Sequence, residues 1–163
     1  MNILDKARKQ DPEAFEILMR GELPGLYRIA HTILNNDADA ADAIQETTLK
    51  CWLNLRKLKN DNFFKTWLTR ILINECNSIL RKRKNTVSLD EIAEIPCEAS
   101  ADPDDWKEIT ARIEDKYRTV IEMYYVEEMP VRQIAKALVI SEENVRTRLS
   151  RGRKQLKQIL GEE

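Results

Sequence analysis

From Val131 to Lys157 the sequence leaves little choice of local architecture. Val131, Ile134, Ala135 and Leu138 recur at i, i+3, i+4 and i+7, the apolar stripe of one helix. Pro130 stands where a proline can open that helix. A short apolar pair, Val139-Ile140, follows it. Ser141 is then placed to cap a second, longer helix, with Glu142 and Glu143 in the first turn, where the helix dipole favours negative charge. A short helix, a tight turn and a longer helix form a helix-turn-helix signature.

The longer helix has two opposed faces. Val145, Leu149, Leu156 and Leu160 fall on one side. Arg146, Ser150, Arg153, Lys154 and Lys157 fall on the other, flanked by Thr147 and Arg151. With the apolar side packed on the preceding helices, the basic side points outward, the geometry of a helix that enters a DNA major groove. A merely solvated charged face is the alternative. The coincidence of spacing, cap and single-sign face favours DNA.

The rest of the chain is helical by the same logic. Only four Gly and five Pro interrupt 163 residues. The sequence predicts helices from about residue 22 to 34, 38 to 58 and 63 to 84. Turns lie at Asn35-Asn36-Asp37 and Lys59-Asn60-Asp61-Asn62, and Gly21 to Gly25 breaks the pattern before the first of these helices. Asp11-Pro12 marks an earlier helix start, with Asp as the cap. Further helices are expected near 105–113 and 117–126. The fold class is all-α.

Charge is distributed in blocks. Net charge is −1, but residues 81–84 read Arg-Lys-Arg-Lys, and Asn85 to Trp106 contains no base. That stretch carries Asp90, Glu91, Glu94, Glu98, Asp102, Asp104 and Asp105 together with Pro96 and Pro103. A mobile acidic linker over 85–103, with one helical turn near Leu89 to Ile92, is expected between a unit at 1–84 and a unit at 104–163. Cys51, Cys76 and Cys97 form no Cys-x-x-Cys pattern and fit a reducing cytosol. The sequence has no signal peptide and no apolar run near the ~20 residues of a membrane span. A cytoplasmic protein that does not insert into membranes is expected.

Two further faces carry chemistry. On the helix over 63–84, Arg70, Asn74, Asn77 and Arg81 share one side, with Phe64, Trp67, Leu68 and Ile71 adjoining. Amides beside cations suit base edges and phosphates, and aromatics can support unstacked bases. A tryptophan placed like Trp67 is more often core. On the helix over 38–58, Ala41, Ile44, Thr48, Trp52 and Leu55 read as a core stripe. Asp42, Gln45, Glu46, Leu49 and Leu53 form a second, mixed face for a neighbour inside or outside the chain.

These residues resemble extracytoplasmic-function sigma factors over nearly the whole chain. Leu26-Tyr27-Arg28-Ile29-Ala30 and Asp39-Ala40-Ala41-Asp42-Ala43-Ile44-Gln45-Glu46 are similar to the family's region two, and Phe64 through Asn74 to its promoter-melting segment. Asp115 through Ile121 and Asn144 through Arg153 resemble region four. The resemblance implies a factor that binds core RNA polymerase, recognises the upstream (−35) and downstream (−10) promoter elements and promotes melting. Asp42, Gln45, Glu46 and Leu49 would dock on polymerase. Trp67, Arg70, Asn74 and Asn77 would sit by the −10 element, Asn74 near a flipped base, while Arg81, Lys82 and Arg83 hold the backbone. Arg146, Thr147, Ser150 and Arg151 would face the −35 element, with Arg153 and Lys154 on phosphates. The implied partners are polymerase, promoter DNA and an anti-sigma factor, often membrane-anchored in this family, in a stress response. The acidic linker would occupy a nucleic-acid path between the two halves. Departures from the family pattern are Ile113-Glu114, Asn144 and the Gly21–Gly25 segment.

Other classes fit less well. A dimeric operator-binding regulator would not need the face around Asp42, and an anti-sigma-like adaptor would not need two basic faces. Asp42 and Glu46, one turn apart, have no nearby His or phosphate loop, and His31 reads as a surface or packing residue, so no catalytic residue is assigned. Neither a metal nor a cofactor is implied.

Overall fold

A computed structural model describes residues 2–86 and 105–161. The linker expected at 85–103, including the turn at Leu89 to Ile92, lies almost wholly outside the described residues. Helices α1 (Ile3–Arg8), α2 (Pro12–Leu34), α3 (Asp37–Asn54) and α4 (Phe64–Thr86) form the first unit. Helices α5 (Asp105–Thr110), α6 (Asp115–Ile121), α7 (Val131–Leu138) and α8 (Glu142–Ile159) form the second. No strand occurs among the described residues.

The caps set the boundaries. The Asp11 carboxylate accepts from the Glu13 and Ala14 amides, with Pro12 opening α2. Asn35 ends α2 in the left-handed region, and Asn36 caps α3 through the Asp39 amide. Helix α1, which the sequence pattern left unassigned, starts on an Asn2 cap. In α8 the Ser141 hydroxyl accepts from the Asn144 amide at 3.0 Å, so Asn144 leaves the cap intact.

Four expectations need correction. Helix α2 runs unbroken through Gly21, Pro24 and Gly25, because Met19, Leu26, Ile29 and Ala30 continue one buried face across them. The α3 core stripe is Ala40, Ala43, Thr47 and Cys51, leading into Leu55 in the 3-10 turn Leu55–Lys57; Ala41 is exposed, and Ile44, Thr48 and Trp52 only flank the seam. Thr47 can enter it because its hydroxyl bonds the Ala43 carbonyl. The helix expected over 117–126 is α6 followed by a π-helical turn at Glu122–Val126. Leu160 lies past the end of α8 and is half exposed.

One continuous apolar core runs through both units: it joins Leu26, Ile29 and Leu34 of α2 to Leu55, Leu68, Leu72 and Cys76, and includes Val120, Ile121, Met123, Ile134, Val145 and Leu149 of the second unit. The units also meet: α4 packs along α7, and α2 against α6 and the π turn.

Candidate nucleic-acid interface

Helix α4 is buried on the side of Leu68, Leu72 and Cys76, and this anchoring sets its outward side. Arg70, Asn74, Asn77 and Arg81 are all exposed there, as the spacing predicts. Trp67 is half-buried, its ring 6.2 Å from that of the buried Phe64. The helix therefore presents two cations and two amides beside the edge of an indole. Lys82 and Arg83 lie toward its end. Arg83 is drawn inward, donating to the Leu34 carbonyl and pairing with Asp39, so its guanidinium braces α4 on α2 and α3 as well as adding charge.

Helix α3 turns Asp42, Gln45, Glu46, Leu49 and Leu53 to solvent as one strip. Leu49 is 50% and Leu53 66% exposed, two leucines one helical turn apart on the same strip. A groove between α3 and α4 is lined by Asp39, Asp42, Glu46, Glu75, Lys82 and Arg83. The acidic end of the α3 strip thus adjoins the basic end of α4, and a Lys50–Glu75 ion pair ties the helices together.

Helix α8 rests on α6 and α7 through Val145, Leu149 and Gly152. Gly152 is required by close approach, since a Cβ there would stand 2.9 Å from Ile121 Cγ1 and 3.3 Å from Tyr117 Cβ. The opposite side presents Arg146, Ser150, Arg151, Arg153 and Lys154, all exposed, with Thr147 half-buried at the edge. Arg146 pairs with Glu142 one turn back at 3.3 Å. Arg153 donates to the Tyr125 hydroxyl at 2.6 Å and lies over its ring. Tyr125 is a member of this surface that the sequence pattern missed, because only the π turn swings it onto α8. The base of the motif is set by Arg118, buried on α6, which donates to the Ala111 and Ile113 carbonyls and pairs with Asp115.

The remaining candidates are structural. His31 lies between Tyr27 and Asp37. The Tyr27 phenol is pushed up to about 12 by its hydrogen bond to the Asp37 carboxylate. Cys51 and Cys76 are buried, which raises both thiols to about 12 and keeps them protonated. Among the described residues no group of three His, Cys, Asp or Glu could hold a metal, and no helix is long and apolar enough to cross a membrane.

Comparison with known proteins agrees with this layout. Residues 18–86 match the family model for Sigma-70 region 2, and residues 106–156 that for Sigma-70, region 4. The chain is 28% identical to the ECF RNA polymerase sigma factor SigW of Bacillus subtilis, over 96% of this chain and 94% of that protein. It is 29% identical to the RNA polymerase sigma factor SigV of the same organism, over 78% and 80%. Its fold is similar to the sigma factor RpoE of Bartonella quintana in complex with the anti-sigma factor NepR, with a TM-score of 0.76, 25% identity and coverage of 90% and 96%. It is also similar to CnrH in complex with the cytosolic domain of CnrY, with a TM-score of 0.72, 22% identity and coverage of 98% and 95%. Matches to both sigma-70 regions in order, together with these relatives, show that the chain belongs to the extracytoplasmic-function subfamily of RNA polymerase sigma factors, regulatory proteins that direct transcription from promoters.

Proposed function

We propose that the three exposed faces divide the work of promoter recognition among themselves. The observation that carries this reading is the presence, in one chain, of an amide-and-cation face on α4 and a single-sign basic face on α8, on separate units. On this reading residues 1–84 form region two, 85–103 the linker and 104–163 region four. Arg146, Thr147, Ser150 and Arg151 read the −35 duplex in the major groove. Arg153, steadied by Tyr125, and Lys154 hold phosphates. Arg70, Asn74 and Asn77, beside Trp67, take bases of the opened −10 strand. Amides can pair with the exposed edge of such a base, and the indole supplies a stacking surface. Arg81 and Lys82 add backbone charge, with Arg83 doubling as a brace.

Leu49 and Leu53, flanked by Asp42, Gln45 and Glu46, dock on core polymerase. Apolar centres with polar rims are the ordinary anatomy of a protein interface. An anti-sigma factor is the further partner, because a structural relative, the sigma factor RpoE of Bartonella quintana, was solved with an anti-sigma factor bound. The site of action is the cytoplasm, and the role is regulatory, with no catalytic residue.

Run-off transcription with bacterial core polymerase, with and without the chain, on fragmented host DNA tests this reading. New discrete start sites that vanish with Asn74→Ala or Arg146→Ala are expected. The absence of new transcripts, with no co-elution with core polymerase, would leave a conventional helix-turn-helix regulator.

A further inference from the structure

The second half of α8 has little apolar anchorage. Val145 and Leu149 are buried, but beyond them only Gly152 is, and it has no side chain to interdigitate. Leu156 and Ile159 are half-buried. Yet Arg151, Arg153 and Lys154, three of the exposed cations, lie on this half. A helix held along one thin strip is free to roll about its own axis. Side-chain tips stand about 5–6 Å from a helix axis, so a roll of ~10° displaces them by ~1 Å. Binding constellations work only within about 0.5 Å of their productive geometry.

Two side-chain tethers meet the helix where the packing thins. On one flank, Gln155 Oε1 accepts from the Glu114 amide at 3.0 Å, and Gln155 Nε2 donates to Glu114 Oε1 at 2.9 Å. Glu114 is the N-cap residue of α6, yet its carboxylate makes no cap bond to that helix. It is turned onto α8 instead. Its backbone is held in turn, because Arg118 donates to the neighbouring Ile113 carbonyl at 3.1 Å. On the other flank, Arg153 Nε donates to the Tyr125 hydroxyl at 2.6 Å, and the guanidinium stands 5.8 Å from the centre of that ring. Tyr125 is steadied by an edge-on contact with Tyr124, the ring centres 4.9 Å apart at 86°.

At about 100° per residue, Arg153 and Gln155 leave α8 on nearly opposite sides. Gly152 lies between them on the buried side, close against Ile121 and Tyr117. The glycine sets how closely α8 lies on α6, and the two tethers resist roll in either direction. The Gln155 contact is more than a chance meeting of long side chains, because it is two-point and one of its points is a backbone amide. Hydrogen bonds at the surface add modestly to stability, so the larger consequence of this pair of tethers is for orientation.

We propose that Glu114 with Gln155, and Tyr125 with Arg153, set the roll of α8, and that Gln155 and Tyr125 are thereby positioning residues for the −35 element. Neither reads a base. They act through Arg151, Arg153 and Lys154, whose reach into the groove or onto phosphate depends on the roll. The Tyr125 hydroxyl engages only Arg153 Nε, which leaves the two Nη groups for a phosphate. Gln155 holds the side of the helix from which Arg151 projects. The inference rests on the reading that α8 takes the −35 duplex in its major groove.

Transcription by core polymerase bearing the full chain tests the tethers. The templates are a promoter found by run-off transcription and a panel in which each −35 base pair is substituted in turn. The readout is discrimination, the ratio of transcript from the parent promoter to that from each substituted one. Gln155→Glu sets two carboxylates against each other and is expected to lower that ratio about fivefold at the most selective −35 position. The exchange Glu114→Gln with Gln155→Glu restores both hydrogen bonds, with the side-chain donor and acceptor reversed, and is expected to recover the ratio. Tyr125→Phe keeps the ring, removes the acceptor, and is expected to lower the ratio like Gln155→Glu. A second panel substituted in the −10 element should give unaltered ratios, and the urea midpoint should stay near its starting value, so that misorientation is distinguished from unfolding. Unchanged −35 ratios in either single variant, no recovery in the exchange, or a loss of transcript equal on every −35 sequence would overturn the positioning role. Failure of the underlying assignment would appear differently, as an unaltered chain whose transcript does not depend on the −35 sequence.

Discussion

Val139, in the turn between α7 and α8, has φ 59° and ψ 50° and is 64% exposed. The left-handed region is costly for a β-branched side chain, by roughly 1–2 kcal/mol. The backbone adopts it because the Val139 and Ile140 amides both return to the Ala135 carbonyl and close the turn. Val139→Asn is expected to stabilise the protein by about 1 kcal/mol, read as a higher urea midpoint with an unchanged slope. At the same scale, burial beside Glu127 raises the Glu22 carboxyl above its ordinary value, despite Lys65. The folded chain thus binds that proton more tightly than the unfolded chain. The stability linked to it is full at pH below the ordinary carboxylate range and falls as pH rises through the raised value. Glu22→Gln removes that loss. Thermal unfolding should show a higher midpoint at pH 7, with the gain shrinking as the pH is lowered toward the ordinary carboxylate range.

At the scale of the element, α8 joins recognition to packing through Gly152. Alanine is the better helix former, yet its methyl would press on Ile121 and on the less yielding Tyr117 Cβ. Gly152→Ala is expected to destabilise the second unit by about 1–3 kcal/mol, as overpacking does, seen in denaturant unfolding. Helix α3 offers the opposite experiment. Leu49 and Leu53 are both exposed, so Leu49→Asp and Leu53→Asp should change stability by less than about 0.5 kcal/mol. Affinity for core polymerase, measured by fluorescence anisotropy, should fall about tenfold for each lost leucine contact. The elements differ in how far the sequence disclosed them. The caps at Asp11 and Ser141 and the exposed faces of α4 and α8 were legible, because capping and helical period act over a few residues. The α3 seam was misread by one position, because Ala40, Ala43, Thr47 and Cys51 are small or polar and hydropathy favours their larger neighbours. The break expected at Gly21 to Gly25 does not occur, because burial on both sides outweighs local propensity.

At the scale of the whole molecule, the division into a region-two unit and a region-four unit was legible from charge blocks and motif order. The seam was not. Arg28 with Glu127, and Arg118 with the Thr32 carbonyl, join residues far apart in sequence, and no local pattern announces them. Tyr125 escaped notice for a related reason, since the π turn that presents it to Arg153 leaves no mark in periodicity. What the whole molecule must do is read two sites at once. Footprinting of core polymerase bearing this chain, on a promoter found by run-off transcription, measures that directly. The account predicts protection near −35 that Arg146→Ala abolishes, and permanganate-reactive thymines near −10 that Asn74→Ala abolishes while the upstream protection survives. Loss of both signals together in each variant, or an upstream footprint without polymerase, would contradict a division of reading between α8 and α4.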